Sequence, residues 1–280
     1  MRKSRFAALL AALALLSGVV VLSACSSSDS GSSDGSVDSE LITSGTLTVG
    51  SDIPFPPFEF GKGPDYQGFD IELVDELAKD LDLKVKIQDT GFDTIFTDVA
   101  QGKFDLVASA STITPDRQKT VNFSDPYYEA EQALLVPPDS DIESVDDLSG
   151  KTVGAQDGTT GEAYAKDETD AGEVRGFPNG PSAISALRAG QVDATIIDQP
   201  VAQDALDKGQ TGFEIATTIP TGELYGLAMA KKNTALLDAV NNSLEKMKED
   251  GRLADLYQKW FKIDPPKAVI DGTTKNPAGS

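Results

Sequence analysis

The 280-residue chain contains no histidine and a single cysteine, Cys25. These two absences remove whole classes of chemistry. A lone cysteine cannot form a disulfide within the chain. Without histidine, neither a Cys/His zinc site nor a Ser-His-Asp or Cys-His catalytic centre can be built. A calcium site made of carboxylates stays open, although no EF-hand spacing is present. Basic residues are also scarce: 24 Lys and Arg stand against 45 Asp and Glu, giving a net charge of −21. A field of that sign repels nucleic acid and anionic lipid headgroups, so neither is an expected partner. Hydrophobic residues make up 39% of the chain. That is enough for packed cores, in a length that suits one or two domains.

What is present begins with Arg2, Lys3 and Arg5, followed by an apolar run from Phe6 to Leu22. A basic start, an apolar run and small residues before a cut site predict an export signal over residues 1–24. The run is short for the ~20 residues of a membrane span, and Ser17-Gly18 interrupts it. Removing this segment's three positive charges leaves a net charge of −24. Leu22-Ser23-Ala24-Cys25 resembles the bacterial lipobox. That resemblance implies lipidation of Cys25, palmitate included, and a lipoprotein held on the outer face of the cell membrane. Residues 25–40 are rich in Ser, Gly and Asp with one apolar side chain, Val37. Such a segment buries too little surface to fold and is expected to be a flexible tether.

From Leu41 onward, strand and helix patterns alternate. Thr46 to Val49 reads as a strand, and Ile71, Leu73, Val74, Leu77, Ala78 and Leu81 recur at helical spacing with Asp70 as N-cap. Val85 and Ile87 mark a strand, Ile95, Phe96 and Val99 a helix, and Leu106 to Ala108 a strand. A second unit opens at Lys151-Thr152-Val153-Gly154 and repeats the plan, with Thr48-Val49-Gly50 as its counterpart. Ala100 to Asp105 and Ala189 to Asp193 likewise precede matching strands. Leu224 to Ala230 reads as one strand, Leu236 to Met247 as the apolar face of a long helix, and Leu253 to Phe261 as a last helix after Gly251. The alternation predicts an α/β architecture of parallel sheets covered by helices.

The chain is organised around Ser109 to Tyr128, which begins where the Leu106–Ala108 strand ends. It carries Ser109, Ser111, Thr112 and Thr114, then Arg117. Strand C-termini are where open α/β sheets place ligands, and an arginine forks onto both oxygens of a carboxylate. Thr112-Ile113-Thr114-Pro115-Asp116-Arg117 and Phe123-Ser124-Asp125-Pro126-Tyr127-Tyr128 resemble the signature of the polar-amino-acid family of extracellular solute-binding proteins, the capture subunits of ABC importers. The resemblance runs from about Leu41 to Ile263. It implies a two-lobed, type II periplasmic-binding-protein-like fold with two crossings between lobes, near Glu129 to Glu131 and Thr221 to Tyr225, and ligand in the cleft. Lobe I then takes residues 41–128 and 226–264, and lobe II residues 132–222. A Pro/Gly/Lys-rich tail, 265–280, is expected to be disordered.

The resemblance also distributes roles. A free amino acid presents a carboxylate and an ammonium, and burying both requires an opposite charge for each. Arg117 would take the carboxylate. Asp198, in Ile196-Ile197-Asp198-Gln199-Pro200, would take the ammonium, and as a lone aspartate it also suits the N-cap of the next helix. The turn Gly158-Thr159-Thr160-Gly161 at a helix start favours anions. Thr160 and Gln156 are the candidates there, with plain capping an equal alternative. Phe55 and Phe92 would wall the ligand side chain, and Asp52 would meet its polar end. Ala110 stands where relatives often have glycine or serine; its carbonyl can accept from the ammonium. Thr112 completes the set.

The implied function is a binding protein that captures a neutral-polar or basic amino acid and delivers it to an ABC permease. It would act outside the cytoplasm as a monomer, without cofactor or metal and without catalysis. Two alternatives remain: a cyclohexadienyl dehydratase-like enzyme on the same fold, with Glu59 or Asp52 as general acid, and a ligand-sensing surface protein.

Overall fold

A computed structural model describes residues 36–271. The export segment 1–24, Cys25 and most of the expected tether lie outside the described residues, as does the end of the expected tail. The chain enters through α1 (Val37–Glu40) and β1 (Thr46–Ser51). A hairpin of β2 (Phe60–Lys62) and β3 (Asp65–Gln67) leads to α2 (Phe69–Asp80), β4 (Lys84–Asp89), α3 (Phe92–Ala100) and β5 (Leu106–Val107). Then come α4 (Pro115–Thr120), β6 (Val121–Phe123) and the long β7 (Tyr128–Val136). The alternation resumes with β8 (Thr152–Gln156), α5 (Thr160–Asp167), β9 (Glu173–Phe177), α6 (Gly180–Arg188), β10 (Ala194–Asp198) and α7 (Gln199–Asp207). The chain closes with β11 (Glu214–Tyr225), β12 (Ala228–Ala230), α8 (Thr234–Asp250), α9 (Arg252–Trp260) and α10 (Lys267–Ile270).

Two five-stranded sheets form two lobes, in the orders β4-β1-β5-β12-β6 and β11-β7-β10-β8-β9. The orders match strand for strand. In each, a central strand carrying Thr-Val-Gly (β1, β8) pairs in parallel with the strands after the first and second helices, and two antiparallel strands complete one edge. The internal repeat in the sequence is therefore a repeat of topology. β1 and β10 are almost wholly buried, as parallel strands covered on both sides are. In α2, Leu73, Val74 and Leu77 are fully buried. Each contributes about 1.5–3 kcal/mol by leaving water.

The lobes are joined by β7 and β11, which pair antiparallel from Tyr128↔Tyr225 through Glu223↔Ala130. A register shift between Ile219 and Glu223 then bends β11 before both strands continue as neighbours in the second sheet. Behind this junction Phe58, Phe69, Tyr128, Tyr225, Tyr257 and Phe261 pack edge-to-face, tilted and stacked, 4.7–6.2 Å apart. The tail helix α9 thus locks onto the hinge through Tyr257, whose hydroxyl donates to the Tyr127 carbonyl.

The structure corrects four expectations. Val37–Glu40, counted in the tether, is helical, and the Glu40 carboxylate accepts from the Ala235 and Leu236 amides, capping α8 from across the chain. Lys267–Ile270, counted in the disordered tail, is helical with Val269 fully buried. Asp70 is not the N-cap of α2, a place held by Gly68; its carboxylate instead accepts from the Ala110 amide and the Tyr127 hydroxyl. Leu224 to Ala230 is not one strand. It breaks at Gly226-Leu227, where β11 of the second sheet passes to β12 of the first. A Cβ at Gly226 would lie 2.9 Å from the Ile113 side chain, so a larger residue there would have to displace it.

Candidate functional site

Strand ends from both sheets meet around one cavity. All nine residues singled out in the sequence line it, together with Ser109 and Thr159. The first lobe supplies Asp52 after β1, Phe55 beyond it, Phe92 opening α3, Ala110 and Thr112 after β5, and Arg117 from α4. The second supplies Gln156 ending β8, Thr160 opening α5 and Asp198 ending β10.

Arg117 is held from three sides. Its guanidinium donates to the Thr112 carbonyl at 2.8 Å and, across the cleft, to the Gly158 carbonyl at 3.1 Å. Its carbon lies 4.6 Å from the centre of the Phe96 ring and 5.2 Å from that of Phe92. Desolvation lowers its pKa to about 10, against the pull of Glu223 and Asp198, so it stays charged at neutral pH. With five N–H groups per guanidinium, donors remain for an anion in the cavity.

Asp198 occupies the N-cap position of α7, yet its carboxylate makes no capping bond. It accepts from the Gln132 amide and, at 2.6 Å, from the Tyr225 hydroxyl. Burial, then the nearby Glu223, pushes its pKa up to about 7. A buried carboxylate with a raised pKa is a group waiting for a positive partner.

At the other end, Asp52 accepts from Gln156 at 2.5 Å, a contact between lobes. Burial raises its pKa to about 6, and Asp89 and Asp93 push the same way. Among the described residues, Arg117 is the single cationic side chain lining the cavity. Ala110 sits at φ 42°, the left-handed region that glycine prefers. Its amide is tied to Asp70 at 2.8 Å. Glu59, the other acid considered for catalysis, does not line the cavity. It is fully buried, accepts from Ser109 at 2.9 Å, and burial with Asp70 nearby raises its pKa well above the usual range.

Gln132, Glu223 and Tyr225, on the crossing strands, were not singled out in the sequence. Glu223 accepts from Thr112 at 2.5 Å, from Thr160 at 2.7 Å and from Gln132 at 3.1 Å. Gln132 therefore divides its amide between Glu223 and Asp198. The available signal was parity: Gln132 lies on the same strand face as Tyr128, Ala130 and Leu134, which are buried.

Residues 47–263 match the model of the bacterial extracellular solute-binding proteins, family 3. The arginine-binding extracellular protein ArtP of Bacillus subtilis is 35% identical over 86% of this chain and 92% of its own length. The ABC transporter glutamine-binding protein GlnH of the same organism is 34% identical over 91% and 97%. A solved ancestral arginine-binding protein bound to arginine superposes with a TM-score of 0.73 at 41% identity, covering 78% of this chain and 98% of that one. By sequence match and by architecture, the chain belongs to the bacterial extracellular solute-binding proteins, family 3.

Proposed function

We propose that this chain captures an L-amino acid between its lobes and hands it to the permease of an ABC importer, and that it prefers a cationic side chain. The ligand carboxylate meets Arg117 and the amides opening α5, and the ammonium meets Asp198 and the Ala110 carbonyl. The side chain runs between Phe55 and Phe92 toward Asp52. One observation carries the cationic preference: Asp52 is desolvated beside Asp89 and Asp93, with no cation at that end among the lining residues. A second carboxylate placed ~4 Å from Asp52 would be repelled by about 4 kcal/mol at an effective dielectric near 20. A guanidinium or ammonium there is attracted by a similar amount, and a guanidinium also stacks on the phenylalanine walls. The names of ArtP and of the ancestral protein fit this reading, and that of GlnH fits an amide ligand donating to Asp52.

The rest of the assignment follows the lipobox-like Leu22 to Cys25: a monomeric lipoprotein on the outer face of the cell membrane, joined to its anchor by a short linker. It binds and releases its cargo unaltered. Against the dehydratase alternative, Glu59 does not line the cavity, and Asp52, which does, is engaged by Gln156. The test is a thermal-shift screen of the twenty amino acids, because a ligand that binds only the folded state raises its stability by mass action. Arginine or lysine should give the largest upward shift. A largest shift with glutamate or aspartate overturns the cationic preference, and no shift with any amino acid overturns the proposal.

A further inference from the structure

Four hydroxyls line the cavity, those of Ser109, Thr112, Thr159 and Thr160. A hydroxyl has one hydrogen to donate and two lone pairs. Each of the four points its hydrogen at the protein. Ser109 donates to Glu59 at 2.9 Å and Thr159 to the Gln156 carbonyl at 2.8 Å. Thr112 and Thr160 both donate to one oxygen of Glu223. Toward the cavity these hydroxyls therefore present lone pairs only. They can accept from a ligand, and they cannot donate to its carboxylate.

Glu223 is what sets this polarity at the two threonines. They come from opposite lobes, Thr112 from the loop after β5 and Thr160 from the start of α5. The carboxylate reaches both because the register shift in β11 falls just before it. Its other oxygen accepts from the Gln132 amide, so the two threonines share the remaining oxygen as their common acceptor. We infer that Glu223 is a positioning residue that orients Thr112 and Thr160 as acceptors for a ligand's ammonium group, leaving the ligand's carboxylate to Arg117 and backbone amides rather than to these hydroxyls. This inference rests on the amino-acid reading above.

It predicts a specific failure. In Glu223→Gln, the new side-chain oxygen keeps the Gln132 bond and the new NH₂ group faces the threonines. Both hydroxyls must then accept from it and turn their hydrogens into the cavity. Donors now oppose the ammonium, while a carboxylate is no worse off.

The experiment is calorimetry of the wild type and Glu223→Gln with three probes: L-arginine, agmatine (arginine without its carboxylate) and 5-guanidinopentanoate (arginine without its ammonium). Glu223→Gln should weaken arginine and agmatine by about tenfold or more, the cost of a lost hydrogen bond to a charged group. It should leave 5-guanidinopentanoate within about twofold, or tighten it. Equal weakening of all three, or of none, overturns the inference. Thr112→Val and Thr112→Ser provide the same reading should Glu223→Gln not fold: valine should reproduce the loss for arginine and agmatine, and serine should restore it. Equal loss in both variants, or in neither, also overturns the inference. A wild type that binds none of the probes refutes the amino-acid reading itself.

Discussion

Raising the pH from about 5.5 to 7.5 should weaken the fold of the free protein while strengthening its grip on ligand. Burial first, then neighbouring charge, lifts Asp198 to about 7 and Asp52 to about 6, and burial alone lifts Asp70 to about 7. Their ordinary value is 3.8. A carboxyl whose pKa is raised by folding holds its proton in the folded state at pH values where the unfolded chain has lost it. The stability this gives is complete at low pH and is lost as pH rises through 6 to 7. Asp80 works the other way: Arg252, Lys246 and Ser243 hold its pKa far below normal, so its contribution is lost only below about pH 4 and lies outside the window.

Each raised group changes stability by about 1.4 kcal/mol per pH unit between its two values. Because these acids share one buried region, a single proton's worth is the safe expectation, about 2 kcal/mol over the window. For a chain of this size that lowers the unfolding midpoint by roughly 4–8 °C. Ligand binding reverses the sign, since an ammonium beside Asp198 favours its ionised form. Affinity for arginine should rise up to about tenfold per pH unit until pH 7, with a proton released on binding. The assay is thermal unfolding with and without arginine across the window, alongside calorimetry in buffers of different ionisation enthalpy. A midpoint of the free protein that is flat or rises with pH, or arginine binding that is tightest at the acid end, would refute the reasoning.

Arg117→Ala should cost about 2–5 kcal/mol of ligand binding, read by calorimetry, because the ligand carboxylate would be buried without its partner. The variant should still fold, since Arg117 sits part-buried at the cleft and its bonds go to carbonyls. Glu40→Ala should lower stability in chemical unfolding by about 1 kcal/mol, the worth of a helix cap, without changing affinity. Cys25→Ser should move the protein from the membrane fraction to the soluble one or leave its precursor uncut, as judged by fractionation and mass spectrometry.

Much of the cleft could be read from the sequence because its residues sit directly after strands, and local patterns locate strand ends. Asp52, Thr112, Gln156 and Asp198 all follow or end a buried strand. Arg117 follows within a few residues, on a helix begun by Thr114-Pro115. The polar network behind these residues was not legible, because pairing between distant strands builds it. Thr112 and Glu223 are 111 residues apart, and only the antiparallel pairing of β7 with β11 brings Gln132 and Glu223 to the same point. Glu40 was hidden for the same reason, as its partners in α8 lie 195 and 196 residues away. Asp70 shows the complementary error. Its position suited a helix cap, but packing of α2 on the first lobe turned its carboxylate to the Ala110 amide and Tyr127.

The central claim concerns where an amino acid lies and which way it faces. A crystal structure of the protein grown with L-arginine tests it most directly. The ligand carboxylate should lie on Arg117, the ammonium on Asp198 with Thr112 and Thr160 accepting, and the guanidinium between Phe55 and Phe92 within reach of Asp52. Arginine bound outside this cavity, or bound with its carboxylate toward Asp198, would contradict it.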